Sequence, residues 1–126
     1  MLFAVGMGSA GPNATDDKAF AESQGIVFQS FSPLCGPCGD SSLINGTLVV
    51  DIGKKHNKSG AQVALRWLTQ QGIPIIPKSD SEKHLKQNLD VFDWKLSDEE
   101  MKALSAATTP AVFGPGDGTS GDCAIA

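Results

Sequence analysis

Ser59-Gly60-Ala61-Gln62-Val63-Ala64-Leu65-Arg66-Trp67-Leu68, followed by Gly72-Ile73-Pro74-Ile75-Ile76-Pro77, is the stretch that decides the fold. Ser59 and Gln62 stand at capping-box spacing, where a hydroxyl accepts from the first turn and an amide three residues on answers it. Behind that signal Ala61, Ala64, Leu65 and Leu68 recur at helical spacing, and Val63 and Trp67 widen the apolar face. Gly72 falls where a helix C-terminus favours a left-handed residue. Ile73 to Pro77 then reads as a short strand whose prolines restrict its pairing to a few positions.

The flanks extend this pattern. Ile26-Val27-Phe28 predicts a buried strand continuing to about Phe31. A short helix is predicted before it, from about Asp16 to Ser23, with Phe20 on its apolar side and Gly25 as its stop. The segment 33–46 reads as a loop. Thr47 is expected to cap a helix through His56, with Leu48, Val49 and Ile52 on one face. Ser81 to Leu89 predicts a helix carrying Leu85 and Leu89. Ser97-Asp98-Glu99-Glu100 is a second capping box, opening a helix with Met101 and Leu104. The order is βαβα, which argues for an α/β architecture with parallel strands covered by helices. Two strands cannot close a barrel, so the unit is expected to pack on something else or to be a piece of a larger fold.

Composition narrows the function classes. The 126 residues are 40% hydrophobic and 19% charged, ordinary for a soluble globular domain. A net charge of −4 with scattered lysines argues against nucleic-acid binding. No stretch approaches the roughly 20 apolar residues needed to span a bilayer, so no membrane partner is expected. A cytoplasmic setting is expected, with organelles left open. The chain contains no tyrosine, which removes any mechanism using a tyrosine hydroxyl of this chain as proton donor.

Four segments carry a family resemblance. Gln24 to Leu34, ending Phe31-Ser32-Pro33-Leu34, resembles the seventh strand of aldo-keto reductases, where an aromatic residue precedes Ser-Pro-Leu. Ala61 to Leu68 is similar to the seventh barrel helix, and Gly72 to Ser79 to the eighth strand with the basic loop after it. Gln87 to Asp93 and Leu96 to Met101 are similar to the last helices.

The resemblance implies the C-terminal portion of a (β/α)₈ barrel, a fold of about 250 residues. The implied organisation is a flexible leader over 1–18, a partial NADP-dependent oxidoreductase domain over 19–107, and a flexible tail over 108–126. The family's Asp, Tyr, Lys and His catalytic residues lie on its earlier strands, which nothing in this chain matches. The implied chain is therefore a truncated one that keeps cofactor contacts and lacks the catalytic set.

Cofactor contact is carried over residue by residue. Phe31 holds the place of the residue that stacks on the nicotinamide. Ser32 and Leu34 stand where the loop passes the pyrophosphate. Lys78 and Ser79 occupy the positions that hold the 2′-phosphate of NADP(H), a dianion suited by an ammonium and a hydroxyl. Gln87 and Asn88 occupy the adenine positions. His84 stands where many members place Arg, and Asp80 adds a negative charge beside the expected phosphate. NAD(H) therefore stays open as the alternative cofactor. Lys83 and Lys86 are further cations nearby. A small carbonyl substrate is implied only for a completed fold, and open barrel edges invite self-association.

Cys35-Gly36-Pro37-Cys38 carries a rival motif with the middle residues of thioredoxins. Against that fold, Gly39 to Ser42 follows the motif instead of a helix, and Leu34 stands where tryptophan is usual. Three readings remain: a plain loop pair, a redox-regulated disulfide beside the cofactor loop, and a dithiol oxidoreductase. Trp67 is expected in the core, Trp94 against the last helices, and His56 at a helix C-terminus where positive charge is favoured. No residue cluster has metal-ligand spacing.

Overall fold

The computed structural model describes residues 14–31, 33–34 and 42–106. The elements are α1 (Ala14–Ser23), β1 (Ser30–Phe31), α2 (Ser42–Asn45), α3 (Thr47–His56), α4 (Gly60–Gln70), β2 (Ile75–Ile76), α5 (Glu82–Leu89) and α6 (Asp98–Ala106). The two strands pair in parallel, with Ser30 opposite Ile75 and Phe31 opposite Ile76. The Ser30 N–H extends the ladder by donating to the Pro74 carbonyl at 2.9 Å.

Helix α4 is the centre of the fold. Its Ser59–Gln62 capping box forms in both directions, the Gln62 N–H donating to Ser59 Oγ at 3.2 Å and the Ser59 N–H to Gln62 Oε1 at 3.0 Å. Val63 to Leu68 are all buried. Gly72 takes φ +75, ending the helix as predicted. The core joins Val49 and Ile52 of α3, Val63, Ala64, Trp67 and Leu68 of α4, Ile73, Leu96, and Leu104 of α6. Burial of this set is the main driving force available to the fold.

The sheet is covered on one face. Phe28 and Ile75 pack against the helical core, and Ser30 between them in the pleat is 2% exposed. On the alternate positions Val27 is 75% and Ile76 54% exposed. Parallel sheets ordinarily bury both faces, so this one presents half of a two-sided element.

Several local expectations change. The buried strand expected from Ile26 contracts to Ser30–Phe31, and Ile26 and Val27 are exposed because β2 pairs only with the last residues of that run. Phe20 is 65% exposed, so it does not pack into the core as an apolar side of α1. Gly46, not Thr47, is the N-cap of α3, and no side chain caps that helix. The expected loop 33–46 contains α2. Leu85 and Leu89 are exposed on α5.

Candidate functional site

The register of β1 on β2 places the C-terminal ends of both strands at one edge. Leu34 follows β1 by three residues, and Lys78 and Ser79 follow β2 within three. Functional groups of α/β barrels collect at that edge. Lys78 is exposed, and among the described residues no acid pairs with it. Ser79 Oγ accepts from the Ser81 N–H at 3.2 Å, forming a turn that leads into α5. Ser81 then caps α5, its Oγ accepting from the His84 N–H at 3.5 Å. His84 and Lys83 are exposed on the first turns, while Gln87 and Asn88 are half-buried on the last. Lys86 is engaged by Glu82 at 2.7 Å, which leaves Lys78 and Lys83 as the cations there without an acid partner among the described residues.

The structure thus gathers Lys78, Ser79, His84, Gln87 and Asn88 onto one loop and the helix it opens. Phe31 contributes its backbone to β1. Leu34 is half-buried and packs against the core. Ser32, Cys35, Cys38 and Cys123 lie outside the described residues. Among the described residues no cluster of His, Cys, Asp and Glu is arranged to hold a metal. No helix among them is long and apolar enough to cross a membrane.

Sequence reasoning missed the polar groups that hold this region in place. One face of α4 presents Gln62, Arg66 and Gln70 to the connection after α5. Gln62 Nε2 donates to the Asp90 carbonyl and to Asp90 Oδ2, each at 3.0 Å. Arg66 Nη1 donates to the Val91 carbonyl at 2.9 Å. Gln70 brackets Leu96, donating to its carbonyl at 2.9 Å and accepting from its N–H at 3.0 Å. Lys58 Nζ donates to both Asp90 carboxylate oxygens, at 2.8 and 2.6 Å. The Lys58 hydrogen bond holds the Asp90 carboxyl below its ordinary value against a smaller desolvation penalty, with help from Gln62 and the Lys58 charge. The visible signal was the spacing of Gln62, Arg66 and Gln70, four residues apart on a helix otherwise apolar there.

A second polar set lies where α3 meets α6. His56 Nε2 sits 2.9 Å from Glu100 Oε2, and the His56 ring tilts against Trp94 with centroids 5.1 Å apart. The expected helix-end role of His56 is thereby joined by a side-chain partner. Glu100 also completes the Ser97 capping box, accepting from the Ser97 N–H at 2.9 Å.

The sequence signature of the aldo/keto reductase family matches residues 12–108. The chain belongs to the aldo/keto reductase family. It is 42% identical over 96 residues to the NAD(P)H-dependent D-xylose reductase of Aspergillus niger, covering 68% of this chain and 30% of that protein. Among solved structures, the aldo-keto reductase MGS-M4 from a Medee basin deep-sea metagenome library superposes with a TM-score of 0.66 at 30% identity, over 86% of this chain and 38% of the other. A mutant of Gox0644 solved in complex with NADPH superposes with a TM-score of 0.60 at 34% identity, over 71% of this chain and 32% of the other. The chain therefore spans about a third of the length of these aldo/keto reductases. Its two parallel strands and flanking helices are a portion of the family's (β/α)₈ barrel.

Proposed function

We propose that this chain forms the cofactor-gripping part of an NADP(H)-dependent oxidoreductase that reduces aldehydes or ketones. The observation that carries the reading is the parallel Phe31–Ile76 register, which sets the Lys78–Ser79 turn and α5 at the strand-end edge. The donor set there fits the group. Lys78 supplies an ammonium free of acid partners among the described residues, and Ser79 a hydroxyl, matching the 2′-phosphate that separates NADP(H) from NAD(H). The support from relatives is that one is named as NAD(P)H-dependent and one neighbour was solved with NADPH.

In this reading Lys78 and Ser79 hold the 2′-phosphate, with Lys83 and His84 at its side. Gln87 and Asn88 lie along the adenine, and Phe31, Ser32 and Leu34 mark the path toward the nicotinamide end. When bound, the cofactor supplies the hydride. What the chain's own residues do is bind and orient. A carbonyl reduction also needs a proton for the forming alkoxide, and the family's donor is a tyrosine that this chain does not contain. The chain by itself therefore binds the dinucleotide and does not turn it over. The open edges of the β1–β2 sheet are where further barrel strands or a second copy would pair.

The test is a titration of the chain with NADPH followed by Trp fluorescence, paired with an assay of NADPH oxidation in the presence of a simple aldehyde. Saturable binding without aldehyde-dependent oxidation is expected. Absence of binding would remove the cofactor reading, and oxidation by the pure chain would remove the claim that it lacks a complete catalytic set.

A further inference from the structure

Helix α5 carries His84, Gln87 and Asn88, yet none of its residues is buried. Leu85 is 45% and Leu89 is 74% exposed. An eight-residue helix is marginal by propensity alone, so its orientation must come from how its ends are tied. The N-terminal end has only local ties, the Ser79–Ser81 turn at 3.2 Å and the long Ser81 cap at 3.5 Å. The C-terminal end is different. Asp90 caps it, its N–H donating to the carbonyls of Lys86 and Gln87 at 3.1 and 3.2 Å. The same residue is gripped from outside the helix by Lys58 through both carboxylate oxygens. Gln62 reaches the carboxylate and the carbonyl together, and Trp94 Nε1 donates to that carbonyl at 3.2 Å. Lys58 is itself seated, its side chain 19% exposed and its Nζ 5.9 Å from the Trp94 ring centroid.

We propose that Asp90 is a positioning residue: by closing on Lys58 and Gln62 it fixes the direction in which α5 presents its dinucleotide-facing residues. The inference rests on the cofactor reading given above and assigns the control of that site to a residue outside it. Gln62 belongs to α4, the most buried helix of the fold, so the grip transmits the rigidity of the core to a helix that has almost none of its own. The Asp90 carboxylate remains 45% exposed, and an ion pair so open to water adds little to global stability. Its effect is local, on the angle and persistence of α5.

The experiment compares the chain with its Asp90→Asn and Lys58→Met variants. Asp90→Asn keeps the side-chain shape and the backbone carbonyl held by Gln62 and Trp94 while removing the charge. Hydrogen exchange is read across α4, α5 and α6, and 2′,5′-ADP is titrated as a probe of the adenine end alone. Both variants are expected to exchange about tenfold faster in α5 with α4 and α6 unchanged, the size of effect a charge-assisted hydrogen bond carries. The affinity for 2′,5′-ADP should fall by a similar factor, and the double variant should be no worse than either single one. Unchanged exchange in α5, an equal rise in all three helices, or an unaltered 2′,5′-ADP affinity would overturn the proposal. If the unsubstituted chain fails to bind 2′,5′-ADP, the cofactor reading fails, and the exchange profile still decides whether Asp90 governs α5.

Discussion

His56 Nε2 and Glu100 Oε2 lie 2.9 Å apart, joining the C-terminal end of α3 to the first turn of α6 across 44 residues of chain. Burial pushes the Glu100 carboxyl up, but the Ser97 N–H, His56 and the Lys55 charge outweigh it and hold the group below its ordinary value of 4.5. A carboxyl depressed by folding adds stability above its unfolded value, and that stability is lost as pH falls through the lower folded value. Glu100→Gln keeps a capping-box side chain and removes the charge. The variant should melt below the parent at neutral pH, and the gap should close well below pH 4.5. Thermal melts at the two conditions check this; a gap of equal size at both would show that the charge is not what matters.

Arg66 is 8% exposed and spends one nitrogen on the Val91 carbonyl and another on Gln70, at 2.9 and 3.2 Å. Arg66→Met fills much of the same space with apolar atoms and leaves that carbonyl without its donor. The expected cost is about 1–3 kcal/mol, the usual penalty for orphaning a buried polar group. Urea unfolding measures it. A loss near zero would mean that water replaces the guanidinium, contrary to the burial seen at this site.

Gly60 and Gly25 separate two reasons for glycine. A Cβ on Gly60 would run into the Ile44 carbonyl oxygen and lie 3.1 Å from a Val49 methyl, so α2 and α4 would have to part. Gly25 meets nothing within 4 Å but takes φ +70, which L side chains disfavour. Gly60→Ala should therefore cost about 1–3 kcal/mol by overpacking. Gly25→Ala should cost about 1–2 kcal/mol through backbone strain alone. Crossing each with Ile44→Ala distinguishes the causes only weakly, because the clash is with backbone. Hydrogen exchange is sharper: Gly60→Ala should loosen α2, and Gly25→Ala should leave it as it was.

What could be read in advance follows from distance along the chain. Both capping boxes formed because their partners stand three residues apart, within reach of one turn. Gly72 was legible because a helix end makes a local demand on φ. Thr47 misled because Gly46 already takes the capping conformation, leaving the hydroxyl one position too late. Ile26 and Val27 misled because apolarity signals burial only where a neighbouring element arrives, and β2 pairs with the run only at its end. In the candidate site, Lys78 to Asn88 were legible as one contiguous stretch resembling a known motif. The groups that hold it, Lys58 with Asp90 and Arg66 with Val91, are separated by 32 and 25 residues, so the spacing of Gln62, Arg66 and Gln70 marks a polar face on the helix without naming the partners it meets.

Lys78 offers the most direct test of cofactor choice. It is exposed, lies just past β2, and pairs with no acid among the described residues, whereas Lys86 is already committed to Glu82. If it holds the 2′-phosphate, Lys78→Ala should raise the Kd for NADPH about tenfold, the loss expected for one charge-assisted hydrogen bond. The Kd for NADH, which lacks that phosphate, should not move. Because the contact lies in water, added salt should shrink the difference between parent and variant for NADPH. Fluorescence titrations with both dinucleotides at low and high salt read all of this. An equal loss for NADPH and NADH would move Lys78 from the 2′-phosphate to the shared pyrophosphate, and no loss for either would remove it from the site.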